Sequence, residues 1–265
     1  MLIAKVGEIN MCYTIRGDGQ PLIAITGFAS AQNTLFNLAH TFAKHYRVIT
    51  FDNRGIGGSD KPTGPYSIRM MAEDTIGLMN VLGLDKAHFL GGSMGGMIAQ
   101  HIAIDHSQKV DKLVLFNTSA DNQWLLDLAK ATIPNWNNER SNIPVDDYRK
   151  LIKEMVARSF NQPFNRLVFG ALAGLQVRLS KIDGLAGQLE AMMSHNVLDK
   201  LQQIKAPTLI LTGTKDRLIP PNLSEVLAFK ITDARLVSID EGSHTMAGEM
   251  AGKFNKEVLD FLRSN

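Results

Sequence analysis

Apolar and polar positions alternate with two different periods along this chain, and the switches between them outline its elements. Leu2–Val6 and Ile9–Ile15 come first. In the second, Ile9, Met11, Tyr13 and Ile15 alternate with Asn10, Cys12 and Thr14, the period-two mark of a half-buried strand. The two read as an antiparallel hairpin region, followed by the turn residues Arg16-Gly17-Asp18-Gly19. Leu22-Ile23-Ala24-Ile25-Thr26 is apolar almost throughout, as expected of a strand buried on both faces of a parallel sheet. Further strands are predicted at Arg47–Asp52, Ala87–Gly91 and Lys112–Asn117. Between them, three- and four-residue spacing of apolar side chains predicts helices over about Asn33–Lys44, Ile68–Leu82 and Met94–His106. This alternation predicts an α/β fold with a mostly parallel sheet, helices on both faces and right-handed crossovers.

The rhythm changes between Ala120 and Ile204. No buried strand is legible there; Trp124, Leu125, Leu126, Leu128 and then Leu151, Met155, Val156 and Phe160 fall at helical spacings, punctuated by Pro134, Pro144 and Pro163. The sheet pattern resumes with a strand at Thr208–Thr212, a helix at Asn222–Lys230, a strand at Arg235–Ile239 and a helix at Met246–Leu262, which brings the strands to eight. The expected division is therefore one core, residues 1–119 and 205–265, interrupted by a helical cap or lid insertion, residues 120–204.

Composition narrows the function classes more than it names one. The 265 residues are 45% hydrophobic and 20% charged, ordinary values for a folded globular chain. Lys and Arg total 28 against 26 Asp and Glu, and no run of five like charges occurs, so neither nucleic acid nor a membrane surface is expected as partner. Cys12 is the lone cysteine, which excludes an internal disulfide framework and a cysteine zinc site. No apolar stretch approaches the roughly 18 residues of a spanning helix. The opening Met1-Leu2-Ile3-Ala4-Lys5-Val6-Gly7-Glu8 is too short an apolar run for a signal peptide, so a cytoplasmic location is expected. The glycosylation-type triplets at Asn117 and Asn222 then carry no weight.

The chemistry gathers at strand ends. Leu90-Gly91-Gly92-Ser93-Met94-Gly95-Gly96 contains G-x-S-x-G between a buried strand and a helix. A sharp strand-to-helix turn demands small neighbours two residues away, which Gly91 and Gly95 supply, and it lifts the Ser93 hydroxyl above the sheet. The Met94 N–H, at a helix N-terminus, suits an oxyanion. The competing reading is a glycine-rich turn with a helix-capping serine. A serine nucleophile needs a base. Of seven histidines, His244 is the candidate, because it follows the last strand, in Glu241-Gly242-Ser243-His244-Thr245. His40, His45, His88, His101, His106 and His195 read as surface or half-buried residues. Asp216, in the turn after the strand at 208–212, is the candidate acid that fixes the imidazole. Asp240 and Glu241 are its rivals, nearer in sequence. A second oxyanion donor is expected from Thr26-Gly27-Phe28-Ala29-Ser30, with Gly27 permitting close approach and the Phe28 N–H donating.

The order Ser93, Asp216, His244, with Asp52-Asn53-Arg54-Gly55-Ile56-Gly57-Gly58-Ser59-Asp60-Lys61-Pro62, resembles the α/β-hydrolase superfamily over nearly the whole chain. The resemblance implies an eight-stranded, mostly parallel sheet with an inserted cap, and a structural role for the loop holding Arg54 and Ser59. Many members have His-Gly where this chain has Thr26-Gly27. Ser93-Met94-Gly95-Gly96-Met97-Ile98-Ala99-Gln100 and Leu115-Phe116-Asn117-Thr118-Ser119-Ala120 are similar to the 3-oxoadipate enol-lactonase and small-carboxylesterase branch. That branch implies cleavage of a small-molecule ester or lactone through an acyl-enzyme on Ser93, with no cofactor or metal, by a monomer or homodimer. The S-M-G-G string also occurs in carbon–carbon bond hydrolases and perhydrolases, and some relatives are non-hydrolytic receptors. In the cap, Trp124 is a candidate substrate contact. Trp124, Trp136, Phe160, Phe164 and Phe169 are suited to wall a pocket or to pack the cap itself, and Arg140, Arg158, Arg166 and Arg178 to clamp a carboxylate or to face solvent.

Overall fold

Eight strands join one sheet: β1 (Leu2–Val6), β2 (Ile9–Arg16), β3 (Pro21–Ile25), β4 (Arg47–Phe51), β5 (Ala87–Gly92), β6 (Val110–Phe116), β7 (Thr208–Gly213) and β8 (Ala234–Ile239). The structure, a computed structural model, describes residues 1–134, 136, 144–161 and 182–264. The spatial order is β1-β2-β4-β3-β5-β6-β7-β8. β2 runs antiparallel to both its neighbours, β1 and β4, and every other pairing is parallel.

The apolar runs owe their continuity to two separate cores. Along the central strands, Ile23, Ile25, Ile49, Phe89, Leu113, Leu115 and Ile210 face one cluster. Their neighbours Leu22, Ala24, Val48, Leu90, Val114, Leu209 and Leu211 face another. Successive side chains leave a strand on opposite faces, so a strand covered on both sides is apolar at every position. The first cluster is closed by α2 (Ile68–Val81), α3 (Met94–Asp105) and α7 (Asn222–Lys230). The second is closed by α1 (Phe36–Phe42) and α9 (Ala251–Arg263). Fully buried Phe254 of α9 meets Phe116 edge-on, with ring centroids 5.0 Å apart. Each such side chain contributes about 2–3 kcal/mol by leaving water.

Two predicted helices begin or run differently. The 33–44 stretch opens as a tight 3-10 turn, Gln32–Leu35, before α1. The Gln32 N–H is held by the buried Asp52 carboxylate at 2.6 Å, which fixes that entry. The 246–262 stretch is two helices, α8 (Met246–Glu249) and α9, broken at Met250 (φ −121°, ψ 36°). Met246, Met250, Phe254, Val258 and Leu262 all pack into one cluster, so the four-residue spacing passes through the break without a sign of it. Between β6 and β7 lie α4 (Gln123–Thr132), α5 (Val145–Ser159) and α6 (Ile182–Met193). Among the described residues no helix is long and apolar enough to cross a membrane.

Candidate active site

The turn from β5 into α3 is a single residue. Ser93 adopts φ 52°, ψ −125°, a region that costs a non-glycine residue on the order of 1–3 kcal/mol. Neighbouring backbone over-determines it. The Ser93 N–H donates to the Phe116 carbonyl at 3.1 Å, and the Ser93 carbonyl accepts from Thr118 Oγ1 at 2.7 Å and from Gly96 N–H at 2.9 Å. A Cβ on Gly91 would strike the Gly95 carbonyl, and one on Gly95 would strike the Ile25 carbonyl. The Ser93 side chain makes no capping bond to α3, which removes the helix-cap reading, and Ser93 is half-open among buried neighbours. The Met94 N–H is the first of α3, where amides lack intrahelical acceptors.

Asp216 lies in the turn after β7 with its side chain fully buried. Its Oδ1 accepts the Leu218 and Ile219 N–H groups at 2.8 and 2.9 Å, and its Oδ2 meets His244 Nδ1 at 2.8 Å. Three donors on one carboxylate fix its orientation. The carboxylate accepts a hydrogen bond from Nδ1–H, which leaves the His244 Nε2 lone pair free to act as a base. The rivals are engaged elsewhere: Asp240 accepts from Thr214 Oγ1 at 3.3 Å, and Glu241 lies 3.7 Å from Lys215 Nζ.

Two residues that sequence reasoning passed over bind these loops together. Asn117, just past β6, is buried at φ 44°. Its Nδ2 donates to the Ser243 and His244 carbonyls, each at 3.0 Å, and its Oδ1 accepts the Gly213 N–H at 2.9 Å. Thr118 holds the Ser93 carbonyl. The end of β6 therefore grips the Ser93 turn, the end of β7 and the His244 loop at once. The available signal was a polar Asn-Thr pair after a buried strand, with asparagine tolerant of left-handed backbone.

The loop after β3 lies against Ser93. A Cβ built on Gly27 would lie 3.3 Å from Ser93 Cβ and 3.8 Å from its Oγ, so the absence of a side chain there keeps the approach to Ser93 open. Ser30 N–H closes a turn on the Gly27 carbonyl at 3.3 Å, with Phe28 half-buried inside it. Thr26 is anchored by Asn53 Nδ2, which donates to its hydroxyl at 3.1 Å and its carbonyl at 3.2 Å. Arg54 and Ser59 are tied structurally. Arg54 grips both oxygens of Asp74 at 2.5 and 2.6 Å; Ser59 donates to the Asp52 carbonyl at 2.6 Å and accepts from the Cys12 N–H at 2.9 Å.

Trp124 packs within the main apolar cluster, its Nε1–H donating to Ser119 Oγ at 2.9 Å. Phe160 is buried and Trp136 half-buried; Arg158 pairs with Glu154 at 2.8 Å, one turn back on α5. Phe164, Phe169, Arg140, Arg166 and Arg178 lie outside the described residues. Two histidines expected at or near the surface are instead buried. His88 sits in β5 with Tyr46 edge-on to it at 5.7 Å. His195 follows α6 and packs 5.5 Å from the His101 ring, its Nε2 3.3 Å from the Ser119 carbonyl. Loss of hydration pushes both below the usual imidazole range, His195 to about 3. Among the described residues no group of three or more His, Cys, Asp or Glu is placed to hold a metal.

Several known proteins resemble this chain over nearly its whole length. A crystal structure of the enol-lactonase from Burkholderia xenovorans LB400 superposes with a TM-score of 0.85 at 28% identity, covering 99% of this chain and 100% of that one. The 2-hydroxy-6-oxo-6-phenylhexa-2,4-dienoate hydrolase of Comamonas testosteroni is 26% identical over 286 residues, 98% of this chain and 95% of that protein. A candidate carbamate hydrolase, RutD, of Azorhizobium caulinodans is 26% identical over 283 residues, 98% of each chain. The profile of the alpha/beta hydrolase fold matches residues 20–249, and with the sheet order described above it makes this chain a member of the alpha/beta hydrolase family.

Proposed function

We propose that this protein is a serine hydrolase that cleaves a carboxylic ester or enol-lactone of a small molecule through an acyl-enzyme on Ser93. Two observations carry the reading: the buried Asp216 carboxylate on His244 Nδ1, held by two backbone amides, and a serine kept strained and uncapped at a strand end. Such strain in a residue that makes no local use of its hydroxyl is a mark of function. In the first step Ser93 Oγ attacks the carbonyl carbon while His244 Nε2 takes its proton. The negative charge moves to the carbonyl oxygen, towards the N–H groups of Phe28 and Met94. Collapse of the tetrahedral intermediate expels the alcohol or enol, which receives the proton from His244. Water then attacks the acyl-enzyme by the same route, returning Ser93 and releasing the acid. Residues 120–204 serve as the cap that shapes the acyl and leaving-group sites.

Likeness to the enol-lactonase supports ester or lactone chemistry, and likeness to the Comamonas hydrolase keeps carbon–carbon bond cleavage as the second reading. An ester panel set against vinylogous diketones separates them. The test of the shared mechanism is covalent. A fluorophosphonate probe is expected to label Ser93 and no other serine, and Ser93→Ala is expected to lose at least ~1000-fold in kcat with an unchanged unfolding midpoint. Labelling at another residue, or near-full activity in the alanine variant, rejects the reading.

A further inference from the structure

Helix α6 lands on the core without side chains at the point of contact. A Cβ on Gly55 would lie 2.8 Å from the Gly184 carbonyl oxygen, one on Gly184 would strike the Gly55 carbonyl, and one on Gly187 would lie 2.7 Å from the Tyr66 ring. At Gly55 and Gly184 backbone therefore meets backbone, with the Tyr66 ring beside them, and the seat tolerates little displacement. One turn beyond Gly184 on α6 stands Gln188, wholly buried. Its Oε1 accepts the Ala29 N–H at 3.1 Å and its Nε2 donates to the Arg54 carbonyl at 2.8 Å.

Ala29 is no ordinary donor to that bond. It stands third in the turn that Ser30 N–H closes on the Gly27 carbonyl, and it holds φ 55°, a left-handed conformation that alanine disfavours. A turn of this kind relaxes by rotating the peptide between its second and third residues, here Phe28 and Ala29. Both ends of that peptide are tied. Ser30 Oγ donates to the Phe28 carbonyl at 3.2 Å, and Gln188 holds the Ala29 N–H. Phe28 and Ala29 also pack against Ile56, Ile152 and Leu185, the last two from α5 and α6.

We propose that Gln188 is a positioning residue for the oxyanion loop: by holding the Ala29 N–H it keeps the 27–30 turn in its strained form and so aims the Phe28 N–H at the reacting carbonyl. The inference rests on the serine-hydrolase reading. It extends that reading by making transition-state stabilisation depend on the seating of α6. Gln188 touches no reacting atom, so its removal acts on kcat and leaves substrate binding alone.

The test uses the full-length protein with p-nitrophenyl esters. Gln188→Met keeps length and volume but loses both hydrogen bonds; kcat is expected to fall about 30-fold with KM within threefold, less than the loss of a whole oxyanion donor. A boronic acid that mimics the tetrahedral adduct is expected to bind about 30-fold more weakly, while the product acid binds as before. Hydrogen exchange at Ala29 is expected to quicken. Gln188→Glu retains an acceptor for Ala29 but sets a second acceptor against the Arg54 carbonyl, so it is expected to recover kcat in part, about tenfold over Gln188→Met. The proposal is overturned if Gln188→Met keeps kcat within twofold of the parent, or if both variants lose activity equally and in step with a lowered unfolding midpoint. A parent protein that neither turns over esters nor labels at Ser93 fails earlier, at the serine-hydrolase reading, and removes the positioning role with it.

Discussion

Asn117 shows how much of the candidate site depends on a residue that does no chemistry. Its amide uses two donors and one acceptor to join the Ser243 and His244 carbonyls to the Gly213 N–H. Asn117→Ala strands three backbone groups, two of them buried, and leaves alanine at φ 44°. We expect a loss of about 3 kcal/mol in stability, since one unsatisfied buried group costs about 1–3 kcal/mol and the loop relaxes in part. We also expect a 10- to 100-fold loss in kcat, roughly the cost of misplacing a catalytic group by about 1 Å. Asn117→Gly separates the terms: it relieves the backbone, so stability partly returns while kcat stays low. Urea unfolding and steady-state kinetics on the two variants decide it, and an alanine variant as active and stable as the parent rejects the role. Ser93, Asp216 and His244 were legible because a strand-end motif and chain order mark them. Asn117 was not, because its partners lie 96 to 127 positions away and become neighbours only through the sheet order.

At the scale of elements, the unit that runs from β5 through Ser93 into α3 is closely packed. Its small residues admit the Ile25 carbonyl against Gly95 and the Gly95 carbonyl against Gly91. Gly95→Ala sets a methyl group against main chain of β3, which has no rotamer to yield. It is expected to destabilise the protein by about 3 kcal/mol, at the upper end of overpacking costs, and to lower the melting temperature by roughly 5 °C for a chain of this size. Calorimetry checks this, and a melting temperature within 2 °C of the parent would sink it. The strands were legible from sequence because both of their faces are buried and both phases of the pattern are apolar. The break at Met250 was not, because a periodic stripe that continues through an interruption looks like one helix. The close seat of α6 on Gly55 was hidden for a related reason: glycines add nothing to an apolar pattern, and contact between two of them is a property of the assembled fold.

Across the whole molecule, folding buries His88 and His195 and half-buries His101 in settings that disfavour their protonation, and in each case loss of hydration is the leading cause. His195 is displaced furthest, to about 3, with the His101 ring as the second cause. A histidine whose folded value is depressed binds protons more readily in the unfolded chain. Its stability contribution is therefore complete above the unfolded value of about 6.5 and is lost as pH falls from there towards the folded value. At pH 5.0 the unfolded side chain is protonated and the folded one neutral, which costs about 2 kcal/mol for His195 alone. That is a large share of a typical net stability of about 5–15 kcal/mol. His195→Gln replaces the ring with a group that still reaches towards the Ser119 carbonyl but does not titrate. The drop in unfolding free energy between pH 7.5 and pH 5.0, measured by urea titration, is expected to be smaller in this variant than in the parent by about 2 kcal/mol. His88 and His101 continue to weaken the variant in acid, so its curve flattens without becoming level. Parallel curves for the two proteins would mean that His195 becomes protonated within the folded state, by local opening of the contact between the end of α6 and α3, and would reject the coupling of its charge to global unfolding.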